Sequence, residues 1–142
     1  MAISQALCTS FKTDLFSGTQ DFNTGTTKVY KIALYTSAAT LDATTTAYST
    51  SNEVVGTNYV AGGNTLTVSQ IPTSTGTTAF ISFSDTTWLT STITARGALI
   101  YESTANKAVC VLDFGADKTS TAGSFTIQFP TANSTSAIIR LA

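Results

Sequence analysis

The chain contains no histidine. That removes the commonest general base, and with it the usual serine and cysteine triads. Cysteine is nearly absent too, with only Cys8 and Cys110. Without histidine, and without clustered carboxylates, the usual ligands cannot build a tetrahedral zinc site. Two buried free thiols acting as small hydrophobes are the plain reading of the pair, a disulfide the geometric alternative. Charge is scarce: 11% of the 142 residues are Asp, Glu, Lys or Arg, against about 25% in an ordinary soluble domain. The net charge of −1 and the scatter of basic residues from Lys12 to Arg140 leave no basic footprint for a nucleic-acid backbone. No apolar run approaches the roughly 18 residues needed to span a bilayer. Met1-Ala-Ile-Ser-Gln has no basic stretch followed by an apolar core, so no cleaved secretion signal is expected. Asn133-Ser134-Thr135 then carries no glycan. These absences predict a chain made in a cytosol, without cofactor, metal, nucleic acid or membrane.

What remains is apolar or hydroxyl-bearing. Apolar residues make up 42% of the chain, and Ser and Thr together supply about a third, Thr being the commoner. Thr is β-branched and uncharged, so it faces water from a strand without disturbing the pleat. The length suits a single domain with a sizeable core. The strongest pattern runs from Trp88 to Phe114: two arms rich in β-branched and aromatic residues around a polar turn at Glu102 to Asn106. Asn106 is the residue there best able to take a left-handed conformation. Ala108, Cys110, Leu112 and Phe114 share one face of the second arm, Val109 and Val111 the other. Apolar residues on both faces predict a central strand covered from both sides.

Along the chain, Ile3, Leu7, Phe11 and Leu15 recur every four residues, with Cys8 and Phe16 beside the stripe. This predicts an amphipathic helix over 3–17, stopped at Gly18 and packed on the sheet, or docked as an arm on a neighbouring subunit. Lys28 to Thr36 reads as a strand. Ser37 to Asn64 is a long irregular excursion, with Leu41, Tyr48, Val54, Val55 and Tyr59 as residues able to pin it and one or two short strands expected inside. Thr65 to Ile71 alternates, Pro72 to Gly76 turns the chain, and Thr78 to Ser84 is a further strand. Gly115 to Gly123 reads as a polar loop, Phe125 to Phe129 as a half-exposed strand, and Ala137 to Leu141 as a final one. The expectation is one all-β domain over 1–142, its body at 28–142. It should be an antiparallel sandwich or jelly-roll-like barrel of about seven to nine short strands.

Candidate chemistry is thin. Asp113 and Asp117 flank Gly115 like an acid pair or calcium ligands, but neither spacing nor neighbours fit a calcium loop. Solvated loop acids are the commoner case. Arg96 beside Gly97 inside a strand suggests a bulge or close backbone approach, with the Arg paired to an acid. Ala61-Gly62-Gly63-Asn64 is too short for a phosphate loop. Trp88 with Tyr48, Tyr59 and Tyr101 suits either sugar stacking or core and rim packing. No enzyme is expected. Pro72 and Pro130 are the only prolines, and most expected strands lack Lys. Weakly protected edges suit a subunit in an assembly.

Met1-Ala-Ile-Ser-Gln-Ala-Leu-Cys-Thr-Ser-Phe-Lys resembles the start of a family of small virion structural proteins of tailed bacteriophages. So do Ile32-Ala-Leu-Tyr-Thr-Ser-Ala-Ala-Thr-Leu and Asn52-Glu-Val-Val-Gly-Thr-Asn-Tyr-Val-Ala-Gly-Gly. Thr92-Ile-Thr-Ala-Arg-Gly-Ala-Leu-Ile-Tyr and Val111-Leu-Asp-Phe-Gly-Ala-Asp-Lys-Thr-Ser-Thr complete a resemblance covering almost the whole chain. It implies a non-enzymatic virion protein, assembled in the host cytoplasm. The leading expectation is a capsid decoration or cement subunit bound to the major capsid protein as a small homo-oligomer, a trimer among the options. The alternative is a tail or baseplate component touching the host surface through the 37–64 excursion and Trp88. Candidate assembly contacts are Leu7, Phe11, Leu15, Tyr48, Tyr59 and Trp88.

Overall fold

A computed structural model describes residues 2–142, so Met1 lies outside it. In chain order the elements are β1 (Ala6–Leu7), α1 (Thr9–Ser17), β2 (Tyr30–Tyr35), β3 (Asn64–Thr65), β4 (Val68–Thr75), β5 (Thr78–Phe83), β6 (Thr86–Glu102), β7 (Lys107–Ile127) and β8 (Ile139–Leu141). They form two antiparallel sheets, ordered β1-β7-β6-β2-β3 and β4-β5-β8, the all-β sandwich that the composition predicts.

The central hairpin is present and longer than expected. β6 has 17 residues and β7 has 21, so these strands are not short. Asn106 at the turn takes φ 52°, as a left-handed turn residue should. Glu102 is fully buried before the turn, and its carboxylate accepts the N–H groups of Thr104 and Ala105 at 3.0 and 2.9 Å. Ala98, Leu99, Ile100, Ala108, Val109 and Val111 all have 0% exposure, because β1 and β2 flank the hairpin and other elements cover its faces.

The segment expected to be a polar loop at 115–123 is instead part of β7. Lys118, Thr119 and Ser120 pair with Ala95, Thr94 and Ile93. Register shifts at Trp88/Ser91, Ser91/Ile93 and Ala95/Gly97 bend the ribbon, and Thr90, Gly115 and Ala122 take positive φ. The bend brings the rings of Phe114 and Phe125 within 6.4 Å. Eleven residues of straight strand would separate them by about 36 Å.

The expected helix over 3–17 is corrected to Thr9–Ser17. Ala6 and Leu7 pair with Val111 and Cys110, Cys8 N–H donates to Val109 O at 3.0 Å, and Ile3 bridges Leu41. Sheet pairing therefore wins over the apolar four-residue repeat. Gly18, at φ 72°, closes the helix by donating its N–H to the Asp14 and Leu15 carbonyls. The buried helical residues are Phe11 and Asp14 rather than a continuous Leu-Phe stripe. Asp14 is held by Lys107 Nζ at 3.1 Å and by Gln20, whereas Phe16 stands in solvent at 94% exposure.

An aromatic group joins helix and sheets. Phe22 stacks on Tyr30 of β2 at 4.4 Å and meets Phe11 of α1 and Phe83 of β5 edge-on at 6.0 and 6.1 Å. The turn expected at Pro72–Gly76 contracts to Gly76–Thr77, and β4 continues through Pro72. Proline is tolerated because β4 is an edge strand, paired only with β5, with its register interrupted between Gln70 and Thr73.

Candidate assembly surface

Two of the six expected contact residues, Tyr48 and Tyr59, converge on one buried carboxylate, and a third, Trp88, packs against Tyr59. Glu53 accepts the Tyr48 hydroxyl on Oε2 at 2.7 Å, and on Oε1 it accepts the Tyr59 hydroxyl at 2.7 Å and the Gly62 N–H at 2.8 Å. Tyr59 also receives the Leu34 N–H from β2, and its ring packs 5.8 Å from Trp88. Tyr101 stacks on Tyr48 at 4.7 Å and donates to Gly62 O at 2.7 Å. Burial pushes the Tyr101 phenol up to about 12, and raises Tyr48 and Tyr59 further, with the Glu53 hydrogen bond adding to burial in both. All three therefore remain neutral donors. Asn106 extends the clamp, accepting Tyr48 N–H at 2.8 Å and donating to Tyr48 O at 3.2 Å.

This arrangement corrects the expectation for Tyr59 and Trp88. Both are buried, and the sugar-stacking and host-contact readings lose their aromatics because those rings face inward. Tyr48 is half-buried. The 37–64 excursion is pinned as expected by Leu41, Tyr48, Val54 and Tyr59, but Val55 points outward at 98% exposure. In place of internal strands it carries isolated bridges, Tyr35 to Glu53 and Thr57 to Thr92. The other three residues fare similarly. Phe11 is fully buried against Phe22, so it cannot meet a partner while the helix is folded, and Leu7 and Leu15 are half-buried against the core.

The exposed apolar side chains lie elsewhere. Leu89 and Val60 are 69% and 76% exposed. Asn58 Nδ2 donates to Thr90 O at 2.8 Å and more weakly to Leu89 O at 3.5 Å. Thr92 N–H reaches Thr57 O, and a Cβ on Gly56 would strike the Thr92 carbonyl. The segment 54–60 is thus locked to 89–92 of β6. Thr90 sits at φ 50°, a costly conformation for a β-branched residue. Nothing in the hydrophobic pattern points to this tip, since its strain is imposed by a side chain 32 positions away in sequence.

Beyond its two-residue pairing with β1, β7 leaves its outer edge open. Among the described residues, Phe114–Ile127 pairs only with β6, and Gly115 to Thr119 are all exposed. Beside this edge, in the bend of the ribbon, lies an open groove of about 530 Å³ lined by Leu112, Phe114, Phe125, Ile127, Phe129 and Ile138 together with polar and charged side chains, Asp113 and Lys118 among them. Threonines hold the ribbon together across its outer face, with Thr87 meeting Thr126 at 2.9 Å and Thr94 meeting Thr119 at 3.2 Å.

The remaining candidates have structural roles. Arg96 Nε pairs with Asp113 Oδ1 at 3.1 Å, and Asp113 Oδ1 also accepts Gly115 N–H at 2.9 Å. The Gly115 bond first, then Arg96, hold the Asp113 carboxyl below its ordinary value. Gly97 marks both a register shift and a close approach: a Cβ there would lie 2.6 Å from Leu112 O. Cys8 and Cys110 are free and buried, and burial raises both thiols, Cys8 to about 11. Among the described residues, no three Cys, Asp or Glu side chains gather closely enough to hold a metal ion. No described helix is long and apolar enough to cross a membrane.

Comparison with family models, with curated proteins and with solved structures found no match to this chain.

Proposed function

We propose that this chain is a non-enzymatic structural subunit of a tailed-phage particle, a decoration or cement protein that binds the major capsid protein on the outside of the head. The observation that carries the reading is the open outer edge of β7 over Phe114–Ile127. An uncovered strand edge is a template for pairing with another chain. Here it lies beside a groove of mixed apolar and polar lining, and the molecule also exposes Phe16, Val55, Val60 and Leu89. The buried polar groups support the same reading, because they act as braces: Glu53 and Glu102 spend their oxygens on the fold's own donors. The phage setting is supported by the segment resemblance alone.

Copy number separates head from tail. Hundreds of copies per particle, retained by heads stripped of tails, is the expected result. A handful of copies that leave with the tail would move the protein to the tail or baseplate. Heads made without the chain should rupture at lower temperature, and adding back purified protein should restore them.

A further inference from the structure

One face of the sheet brings an amine and two carboxyl groups together at the base of the central hairpin. Tyr30, Glu102 and Lys107 are direct partners across β2, β6 and β7, so their side chains share a face, neighbouring Cβ atoms lying about 5 Å apart. Both ends of this row reach one group. Lys107 Nζ lies 3.1 Å from Asp14 Oδ1 of α1. Tyr30 donates its hydroxyl to Gln20 Oε1 at 2.8 Å, and Gln20 Nε2 reaches Asp14 Oδ2 more weakly at 3.4 Å. Asp14 is thereby tied to both ends of the row, with the fully buried Glu102 between them. Phe22, stacked on Tyr30 and edge-on to Phe11, adds aromatic cover.

The residue types matter. The other ion pair among the described residues, Arg96 with Asp113, uses a guanidinium that does not give up its proton. A lysine amine that has lost a proton is a nucleophile. Glu102 accepts the Thr104 and Ala105 N–H groups, one on each oxygen. Each oxygen keeps a second lone pair for a proton from the adjacent ammonium.

We propose that Lys107 and Asp14 condense to an intramolecular isopeptide bond, a covalent tie between α1 and the base of the β6–β7 hairpin. Glu102 takes a proton from the Lys107 ammonium, and the freed amine attacks Asp14 Cγ, one bond beyond the oxygen it already touches. Gln20 Nε2 supports the charge that gathers on Oδ2. The Cγ–Oδ1 bond then breaks. Oδ1 leaves as water, taking a second proton from the nitrogen and the one held by Glu102, which returns to its starting form. Ammonium and carboxylate thus become amide and water, with no oxidant or co-reactant. The Lys107 side chain is 39% exposed, which gives the water a way out. The bond joins residues 93 positions apart and removes two charges from a site where burial penalises them. It is a property of the single chain and stands without the particle reading.

Intact-mass measurement of the purified, folded wild-type chain tests it. The mass is expected to lie below that of the sequence by one water, and a protease digest should yield a branched peptide joining residues 14 and 107. Lys107→Arg keeps an ion pair with Asp14 but cannot condense, so it should fold, show the full mass and give separate peptides. Glu102→Gln should fold and leave most of the chain without the bond. If it does not fold, Glu102→Asp, which withdraws the carboxylate by one methylene, is compared with wild type by the fraction of chain that carries the bond, and that fraction should drop. A wild-type chain at full mass, with residues 14 and 107 in separate peptides, would leave only an ion pair and overturn the proposal. So would a water loss that persists in Lys107→Arg or maps to other residues. Complete bond formation in the Glu102 variant would overturn the role given to Glu102. None of these outcomes bears on copy number in particles, so the two readings fail separately.

Discussion

At the scale of single residues, two positions control how the 37–64 excursion meets the sheet. Gly63 has φ 74°, and a Cβ there would fall on the Ile32 carbonyl oxygen of β2. That neighbour is backbone in a central strand and has no room to yield. Gly63→Ala is therefore expected to lower the urea midpoint clearly, whereas Gly76→Ala, with open space around it, should show only the smaller cost of its positive φ. Glu53 is the second position. Glu53→Ala leaves the hydroxyls of Tyr48 and Tyr59 and the Gly62 N–H without their acceptor. An abandoned buried donor costs about 1–3 kcal/mol, and Tyr48 can turn partly to water, so a total loss of roughly 2–4 kcal/mol is expected. Parallel urea titrations of Glu53→Ala and Glu53→Gln check this. The amide keeps one acceptor oxygen and should lose less; a negligible loss in both variants would mean that the carboxylate does not hold the excursion.

At the scale of elements, the helix shows how far the sequence could be read. Its end was legible, because Gly18 is the residue that adopts φ 72° without strain. Its start was not. The apolar repeat through Ile3 and Leu7 satisfies a helix as well as it satisfies β1, and only the need of β7 for an edge partner decides between them. The same limit applies to β7. Gly115 and Gly123 read as loop residues, yet they sit at bends of a ribbon held by threonine pairs from β6. The hairpin turn was legible through Asn106, whereas Asn58 was not, because its positive φ serves a contact with β6 rather than a local turn. Of the expected contact residues, Phe11, Tyr59 and Trp88 are buried within the chain itself: aromatic and aliphatic periodicity marks packing without saying whether the partner is the same chain. Phe11→Ala should accordingly cost about 3–5 kcal/mol of fold stability. Phe16→Ser on the same helix should leave melting unchanged. A Phe11 variant that melts normally would return the helix to the role of a docking arm.

At the scale of the whole molecule, charge is too sparse to dominate either stability or assembly. With no histidine, no side chain titrates near neutrality at its ordinary value. Asp21, Asp42 and Asp113 have carboxyls held below their ordinary value, chiefly by hydrogen bonds from Asn23, Thr44 and Gly115 respectively. A depressed carboxyl contributes stability that is present above the unfolded value near 4 and lost as pH falls towards the folded one. The tyrosines and thiols are raised by burial, Cys8 to about 11 and Tyr101 to about 12. They contribute stability that is complete below their unfolded values of about 8.5 and 10, and lost as pH rises from there. Thermal melting should therefore be flat from about pH 5 to 8 and fall on both sides; a step near pH 6.5 would contradict this. Assembly follows the same composition. A chain with only 11% charged residues would hold a partner chiefly by apolar burial, strand-edge pairing and hydroxyl hydrogen bonds. Salt screens charges over about 8–10 Å at physiological strength and does not weaken apolar burial. In the proposed particle role, attachment is thus expected to survive a rise from low to roughly molar sodium chloride. Urea below the unfolding midpoint should release the protein, because it solvates apolar and peptide groups alike. Quantifying bound chain by gel after each wash distinguishes the cases: release by salt, with the fold intact, would show that a few well-placed charges rather than the neutral surface hold the subunit.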